Sequence, residues 1–268
     1  MTPLLYRFLR LGGRTGPGRW LVRASTSAVL LAAAALLPST LAPATSGGQV
    51  QLVASRTALP TRHGGPVQTH PQVYVVFWDW RSDPLGERSY LTDFLASIGG
   101  TSWLATVQQY GAGAQRSLLK GSWSDNAVPV SSHPTKQAVQ FEAQRAARHF
   151  RIPTWSPTAT SNIDVQIVVA LPPGGTCDAY HDFLWFFGGS FWGITYTALP
   201  YNSDRGCRGG AVTESHELAE SITDPQPFSG WVPEIADRCD GQNGHIRAGG
   251  HDFFIQKLWS NRARACVL

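Results

Sequence analysis

Two near-continuous apolar runs are the strongest structural signals along the chain. Residues 73–78 (V-Y-V-V-F-W) and 164–171 (D-V-Q-I-V-V-A-L) consist mainly of β-forming side chains, which is typical of buried strands. Residues 183–201 are β-rich and aromatic, and Gly188-Gly189 divides them into two predicted strands. Residues 253–259 (F-F-I-Q-K-L-W) predict a last strand.

Helical spacing of apolar residues fills the segments between these strands. Residues 89–98, 102–110 and 134–150 each carry it, and glycine pairs or prolines close them, as helix ends often require. A further helix carries residues 214–223 and stops before Pro225. This mixture predicts an α/β (α+β) fold, with one domain at residues 73–268 built from a mixed β-sheet and backing helices.

The N-terminal segment has the pattern of an export signal. Five arginines precede the apolar run at residues 28–37, and Ala42-Pro43-Ala44 forms an A-x-A cleavage pattern. The run is shorter than the roughly 20 residues that a spanning helix needs. We therefore expect residues 1–44 to be a cleaved signal peptide, residues 45–72 to be a flexible lead-in, and the protein to be secreted, with no membrane segment after cleavage.

The charge balance argues against nucleic acid as a partner. The formal net charge is +4, but five of the 22 basic residues and none of the 18 acidic residues lie in the leader. The mature chain is therefore near neutral, which leaves no electrostatic reason to expect nucleic acid or an anionic membrane as a partner.

Four cysteines suggest two disulfides in an exported chain. Of the three possible pairings, we favour Cys177–Cys207 and Cys239–Cys266, because each pair brackets one local unit of the chain. The cysteines show no C-x-x-C spacing, so the sequence does not favour a thiolate zinc site.

The most informative motif is H-E-x-x-E at residues 216–220. His216 and Glu220 are four residues apart on a predicted helix, so both side chains can reach one metal ion. Glu217 stands where zinc hydrolases of the H-E-x-x-H kind keep their general base, although a glutamate replaces the second histidine here. The alternative is an ordinary solvated helix face.

A catalytic zinc normally takes three protein ligands, and the segment after the helix offers acidic candidates. We expect Glu234 to be the third ligand and Asp237 to orient the first histidine from behind. His181 and His251 are rival ligands. Zinc is the expected ion, with manganese or calcium as alternatives, because carboxylates also suit harder cations.

The aromatic residues suggest a second kind of site. The tryptophans that could line a carbohydrate groove are Trp78, Trp80, Trp185, Trp192 and Trp231. Aromatic side chains at this density are more often part of a hydrophobic core. A sugar-binding platform is therefore the weaker interpretation.

Several sequence blocks occur in a fixed order along the mature chain. They are V-Y-V-V-F-W with Trp80, Leu91–Ile98 with Trp103 and Tyr110, the strand at 164–171, Cys177 with His181, Y-x-x-L-P-Y at 196–201, H-E-L-A-E at 216–220 with Thr223 and Pro225, W…E-I-A-D-x-C at 231–239, and residues 254–259 with Cys266. From about residue 65 onward, this set resembles the plant phosphate-induced (exordium) proteins and their bacterial secreted relatives. The resemblance implies a secreted, often cell-wall-associated protein in which Glu220 belongs to the family pattern.

Two hypotheses follow from the sequence. In the first, the chain is a secreted zincin-like zinc metallopeptidase acting on a protein or peptide. Glu217 takes a proton from the attacking water, and His181 or Tyr196 stabilises the oxyanion. In the second, it is a non-catalytic extracellular protein that binds cell-wall components or carbohydrate and keeps a structural or vestigial metal site. An open cleft beside the motif would favour the first.

Overall fold

A computed structural model describes residues 58–153, 162–184, 193–201 and 210–268. The expected signal peptide, most of the lead-in, Trp185, Trp192 and Cys207 lie outside these ranges. The helices are α1 (Glu87–Ser97), α2 (Ser102–Ala105, continued by a 3-10 turn at Thr106–Tyr110), α3 (Lys136–His149) and α4 (Gly210–Thr223). The strands are β1 (Thr61–Arg62), β2 (Gln72–Trp78), β3 (Leu119–Asp125), β4 (Val165–Ala170), β5 (Tyr180–Phe183), β6 (Thr195–Leu199), β7 (Trp231–Val232), β8 (Asn243–Ala248), β9 (His251–Gln256), β10 (Leu258–Ser260) and β11 (Ala265–Val267).

The central feature is a five-stranded mixed sheet with the order β3-β2-β4-β6-β5. Strands β3, β2, β4 and β6 run parallel, whereas β5 pairs antiparallel with β6 at one edge. The two apolar runs form the neighbouring strands β2 and β4, as the sequence predicts. Because helices cover a sheet built in this way, the expected α/β fold is confirmed.

Side-chain alternation along the strands divides the core between the two faces of the sheet. On one face, Val75 and Val168 pack in a core that includes Leu218 of α4. On the other face, Val76 and Val169 pack in a core that includes residues of α3. Since successive strand residues point to opposite faces, only every second residue of a strand can reach α4.

The strands beneath α4 also carry buried polar side chains. Gln166 on β4 donates a hydrogen bond to the Thr197 hydroxyl at 2.8 Å, and the Thr195 hydroxyl lies 3.3 Å from the carbonyl oxygen of Pro225. Buried polar groups are costly unless they are paired. The first bond joins β4 to β6, and the second fixes the chain just after α4 against β6.

The structure corrects several predicted strands. Strand β3 (L-K-G-S-W-S-D) was not predicted, because it is an edge strand whose alternate residues are exposed and few are apolar. The run at 253–259 is divided between β9 and β10, and the hairpin partner β8 was also missed. The first strand of the aromatic segment lies earlier than expected, at Tyr180–Phe183, and residues 185–192 lie outside the described ranges.

The tryptophans that the structure describes do not support a sugar-binding platform. Trp78 and Trp80 are buried, and their indole N–H groups donate to backbone carbonyls of the protein itself. Trp231 is half-buried and packs edge-on against Tyr110. These rings are core and core-edge residues, as aromatic side chains of soluble proteins usually are.

One expected disulfide is present and braces the C-terminal part of the chain. Cys239 and Cys266 are bonded with their Cα atoms 5.7 Å apart, which confirms that predicted pair. The other expected pair involves Cys207, which lies outside the described residues. Among the helices that the structure describes, none is both long enough and apolar enough to cross a membrane.

A buried carboxyl group on α3 makes the stability depend on pH. Glu142 is buried beside Asp125 and Arg145. Burial, followed by the charge of Asp125, raises the pKa of Glu142 from 4.5 to about 7. The native state therefore holds this proton more tightly than the unfolded state does. The stability that this group contributes is complete below about pH 4.5 and is lost as the pH rises through about 7.

We expect Glu142→Gln to remove this pH dependence. Relative to the wild type, the variant should gain on the order of 1–3 kcal/mol between about pH 5 and pH 8, since one pKa unit corresponds to about 1.4 kcal/mol. Urea denaturation of both proteins across this pH range measures the difference between their free energies of unfolding. The contributions of all other titrating groups cancel in this difference. Two parallel stability curves would contradict the assignment.

Candidate metal centre

Helix α4 carries the H-E-x-x-E motif, and its four-residue spacing brings His216 and Glu220 together on one face. His216 Nε2 lies 3.1 Å from Glu220 Oε1. After the helix, the Asp224 carboxylate accepts backbone hydrogen bonds from Phe228 and Gly230 at 2.6 and 2.5 Å. This capped turn reverses the chain and brings the acidic segment at residues 234–237 back to the helix.

One group of candidate ligands gathers at His216. The ligand atoms of His216, Glu220 and Asp237 all lie within 4.8 Å of one another. Asp237 Oδ1 is 3.6 Å from His216 Nε2, and its side chain is 62 % exposed. The backbone N–H of Asp237 also donates to Glu220 Oε1 at 3.3 Å. The 3-10 turn at Asp237–Cys239 thus places a solvent-facing carboxylate at the motif.

A second group gathers at His181 on the edge strand β5. The ligand atoms of His181, Glu220 and Glu234 also lie within 4.8 Å of one another. His181 Nδ1 is 3.4 Å from Glu220 Oε2 and 3.3 Å from Glu217 Oε2, and its Nε2 is 3.4 Å from Glu234 Oε1. His181 is almost fully buried. Glu220 is therefore common to both groups.

The structure arranges the predicted ligands differently from the expected set. His216, Glu220 and Glu234 were expected around one ion, yet Glu234 groups with His181, and Asp237 takes the place beside His216. Asp237 is thus a candidate ligand and not an orienting group behind the histidine. The sequence could not show this, because the order of acidic residues along a loop does not determine which of them turns inward.

Two other predicted residues lie away from the centre. Tyr196 alternates with Thr195 and Thr197 on β6, so its ring points to the opposite face of the sheet and packs in the core that includes α3. A role in stabilising an oxyanion at α4 is therefore wrong for Tyr196. His251 is 51 % exposed on β9, 3.9 Å from Asp93, and belongs to neither group.

Sequence reasoning missed Gln256, which holds His216 in place. The buried amide donates to the Ala236 carbonyl oxygen at 2.7 Å, and its Nε2 and Oε1 lie 3.0 and 3.2 Å from His216 Nδ1. The other ring nitrogen of His216 consequently faces the carboxylates. The sequence does contain a signal for Gln256, because it is a polar residue that directly follows three apolar residues (F-F-I-Q) in a predicted strand.

The electrostatics of the centre favour a cation. Burial opposes protonation of His216, but the charges of Glu220, Glu217 and Asp237, together with the hydrogen bond to Glu220, outweigh it and raise the pKa to about 10. Burial also opposes protonation of His181, but the hydrogen bonds that it donates to Glu217 and Glu220, together with the charges of Glu220 and Glu234, raise its pKa well above the usual value. Burial, followed by the charge of Glu220, raises the pKa of Glu234 to about 9. The carboxylates thus exceed the available positive charge.

An open cavity of about 490 Å³ lies on the His181 side of the centre. His181, Glu217, Glu220 and Glu234 line it, and Phe228 and Lys136 border it. Phe228 is 77 % exposed. Among the described residues, none closes this cavity, and Glu217 and the residues of β5 form part of its wall.

Comparison with family models, curated proteins and solved structures finds no match for this chain. The resemblance drawn from the ordered sequence blocks therefore stays a prediction. Any assignment of function has to rest on the geometry of the site itself.

Proposed function

We propose that this chain is a secreted, metal-dependent hydrolase of zincin-like architecture that cleaves peptide bonds. The observation that carries the proposal is the position of Glu217. Its carboxylate lines an open cavity directly beside a histidine–carboxylate group that could hold a metal ion. The Cys239–Cys266 disulfide is in keeping with secretion, because such bonds persist in oxidising compartments.

The residues present fit a divalent cation. Two ligands of one ion with bonds of about 2.0–2.2 Å and angles near 90–110° are separated by about 3.0–3.5 Å. His216 Nε2 and Glu220 Oε1, at 3.1 Å, match this separation. In addition, Glu234 Oε1 is buried and accepts no hydrogen bond from the part of the chain that the structure describes. Zinc suits imidazole best, while manganese and calcium suit the carboxylates.

Different residues of the site would bind the ion, transfer the proton and orient the general base. His216, Glu220 and Asp237 would hold an ion whose chemistry is to polarise the scissile carbonyl and acidify a water. Glu217 accepts the proton of the attacking water and delivers it to the leaving nitrogen. His181 Nδ1, 3.3 Å from Glu217 Oε2, fixes the orientation of that carboxylate. A general base held in one rotamer loses less entropy in the reaction.

The edge strand β5 offers a binding mode for an extended substrate. Among the described strands, β5 pairs only with β6 and forms one edge of the sheet. An extended peptide can add to such an edge. Because His181 is part of β5 and contacts Glu217, a peptide aligned on this strand would lie across the general base.

The experiment compares hydrolysis with and without a bound ion. We expect the secreted chain, freed of residues 1–44, to cleave a denatured protein substrate. A chelator should abolish the cleavage, and added zinc should restore it; manganese and calcium are tested separately. Mass spectrometry of the products measures cleavage. A chain that binds zinc firmly but cleaves nothing would overturn the proposal and favour the non-catalytic, wall-associated alternative that the family resemblance implies.

A further inference from the structure

Glu220 faces two different histidines with its two oxygen atoms. Oε1 lies 3.1 Å from His216 Nε2, whereas Oε2 lies 3.4 Å from His181 Nδ1. A carboxylate that serves a single ion would direct both oxygens, or one of them, to a single point. The orientation of Glu220 is instead that of a bridge between two neighbouring positions.

We propose that the centre binds two divalent cations with Glu220 as the bridging ligand. His216 and Asp237 complete one position, and His181 and Glu234 complete the other. Cations in two-metal hydrolytic sites stand about 3.5–4 Å apart, a spacing that a bridging carboxylate can hold. This inference rests on the proposed function for its catalytic meaning, but the number of bound ions can be measured without any substrate.

The contacts of the two imidazole rings support the pair of positions. His216 Nδ1 contacts the Gln256 amide, which leaves Nε2 directed at Glu220. His181 Nε2 lies 3.3 Å from the carbonyl oxygen of Asp224 and 3.4 Å from Glu234 Oε1, and Nδ1 faces Glu220 Oε2 and Glu217 Oε2 at 3.4 and 3.3 Å. In a centre with two ions, the second ion would take the place of the proton through which His181 contacts these carboxylates. A histidine with one ring nitrogen against a protein group and the other against carboxylates is the usual arrangement of a metal-binding histidine.

The charge balance of the site also supports two bound ions. The two groups and the neighbouring general base contribute the carboxylates of Glu217, Glu220, Glu234 and Asp237. When both histidines are neutral, as ligands must be, one divalent ion leaves an excess of negative charge in a largely buried site. Two divalent ions cancel it. Burial of uncompensated charge is expensive. The second ion would therefore stabilise the site by neutralising the negative charge that remains after the first ion binds.

Counting bound ions tests this inference. The folded secreted chain is saturated with Zn²⁺, dialysed and analysed by inductively coupled plasma mass spectrometry. We expect two ions per chain in the wild type, one in His181→Ala and one in His216→Ala. Glu220→Gln should lose both. His251→Ala, whose histidine lies outside both groups, is the matched control and should keep two.

A second probe detects the pair of ions in the wild type itself, where no variant has to fold. With Mn²⁺, the wild type should give an electron paramagnetic resonance spectrum of two coupled ions, and His181→Asn should give the six-line spectrum of an isolated ion. One ion in the wild type, with no change in His181→Ala, would overturn the inference and make His181 a charged partner of the carboxylates. Two ions without hydrolysis would overturn the proposed function alone, and hydrolysis with one ion would overturn this inference alone.

Discussion

Glu217→Gln is expected to lower peptide hydrolysis by at least about 100-fold while leaving the fold and the bound ions in place. The amide has nearly the shape of the carboxylate but cannot accept the proton of the attacking water, and general base catalysis is typically worth about 100- to 10,000-fold. Glu217 belongs to neither ligand group, so its replacement should not release metal.

A neighbouring glutamate on the same helix provides the control. Glu214 lies one turn before Glu217, is fully buried, and belongs to neither ligand group. Burial, followed by the charge of Glu217, raises its pKa well above the usual value. Glu214→Gln keeps the size of the side chain and removes no candidate ligand, so it should keep hydrolysis near the wild-type rate. Initial rates and metal content of both variants give the comparison.

Two results would contradict the assignment of the general base. Full activity in Glu217→Gln would show that another group accepts the proton. Loss of metal in Glu217→Gln would show that Glu217 is a ligand. His216→Ala is the reference for a ligand variant, since it should lose both hydrolysis and an ion.

Removal of the Cys239–Cys266 bridge is expected to destabilise the folded chain by about 3–4 kcal/mol. The two cysteines are 27 residues apart in sequence, and closing a loop of this length removes about that much entropy from the unfolded chain. For a chain of this size, the melting temperature should fall by on the order of 10 °C. Thermal unfolding of Cys239→Ala/Cys266→Ala, compared with the wild type, measures the change.

A double alanine variant is the appropriate form of this test. A reductant would act on every disulfide of the chain, and a single substitution would leave a free thiol that can react with others. Replacing both cysteines removes one bond only. An unchanged melting temperature would show that the turn at Asp237–Cys239 is already fixed by its packing, for example by the buried side chain of Ile235.

The sequence predicted the central strands of the sheet better than its edge strands. Strands β2 and β4 are buried on both faces, so nearly every residue in them must be apolar, and the pattern is unmistakable. Strand β3 packs through only one face at an edge, and its L-K-G-S-W-S-D sequence carries little of that signal. Edge position, which determines how many faces are buried, is a property of the whole sheet and not of the segment.

In the candidate site, too, the sequence predicts what depends on local spacing and misses what depends on the whole sheet. The proximity of His216 and Glu220 depends on helical spacing alone, so sequence sufficed to predict it. The contribution of His181 depends on β5 pairing with β6 in a register that places it opposite Thr197, on the face covered by α4. No local pattern around residue 181 contains that information, so the sequence supported His181 only as a rival ligand or as a group that stabilises the oxyanion.

The contact between Gln256 and His216 has a consequence for when the centre can form. The motif helix precedes both of its supports along the chain: the amide that orients its histidine lies on β9, and the bridge that braces the Asp237 turn needs Cys266. Such a bridge does not persist under reducing conditions. A chain whose thiols are still reduced therefore carries the helix without that brace, and the turn that holds Asp237 is complete only after oxidation. The redox state of the surroundings would thus control whether the proposed metal centre can form.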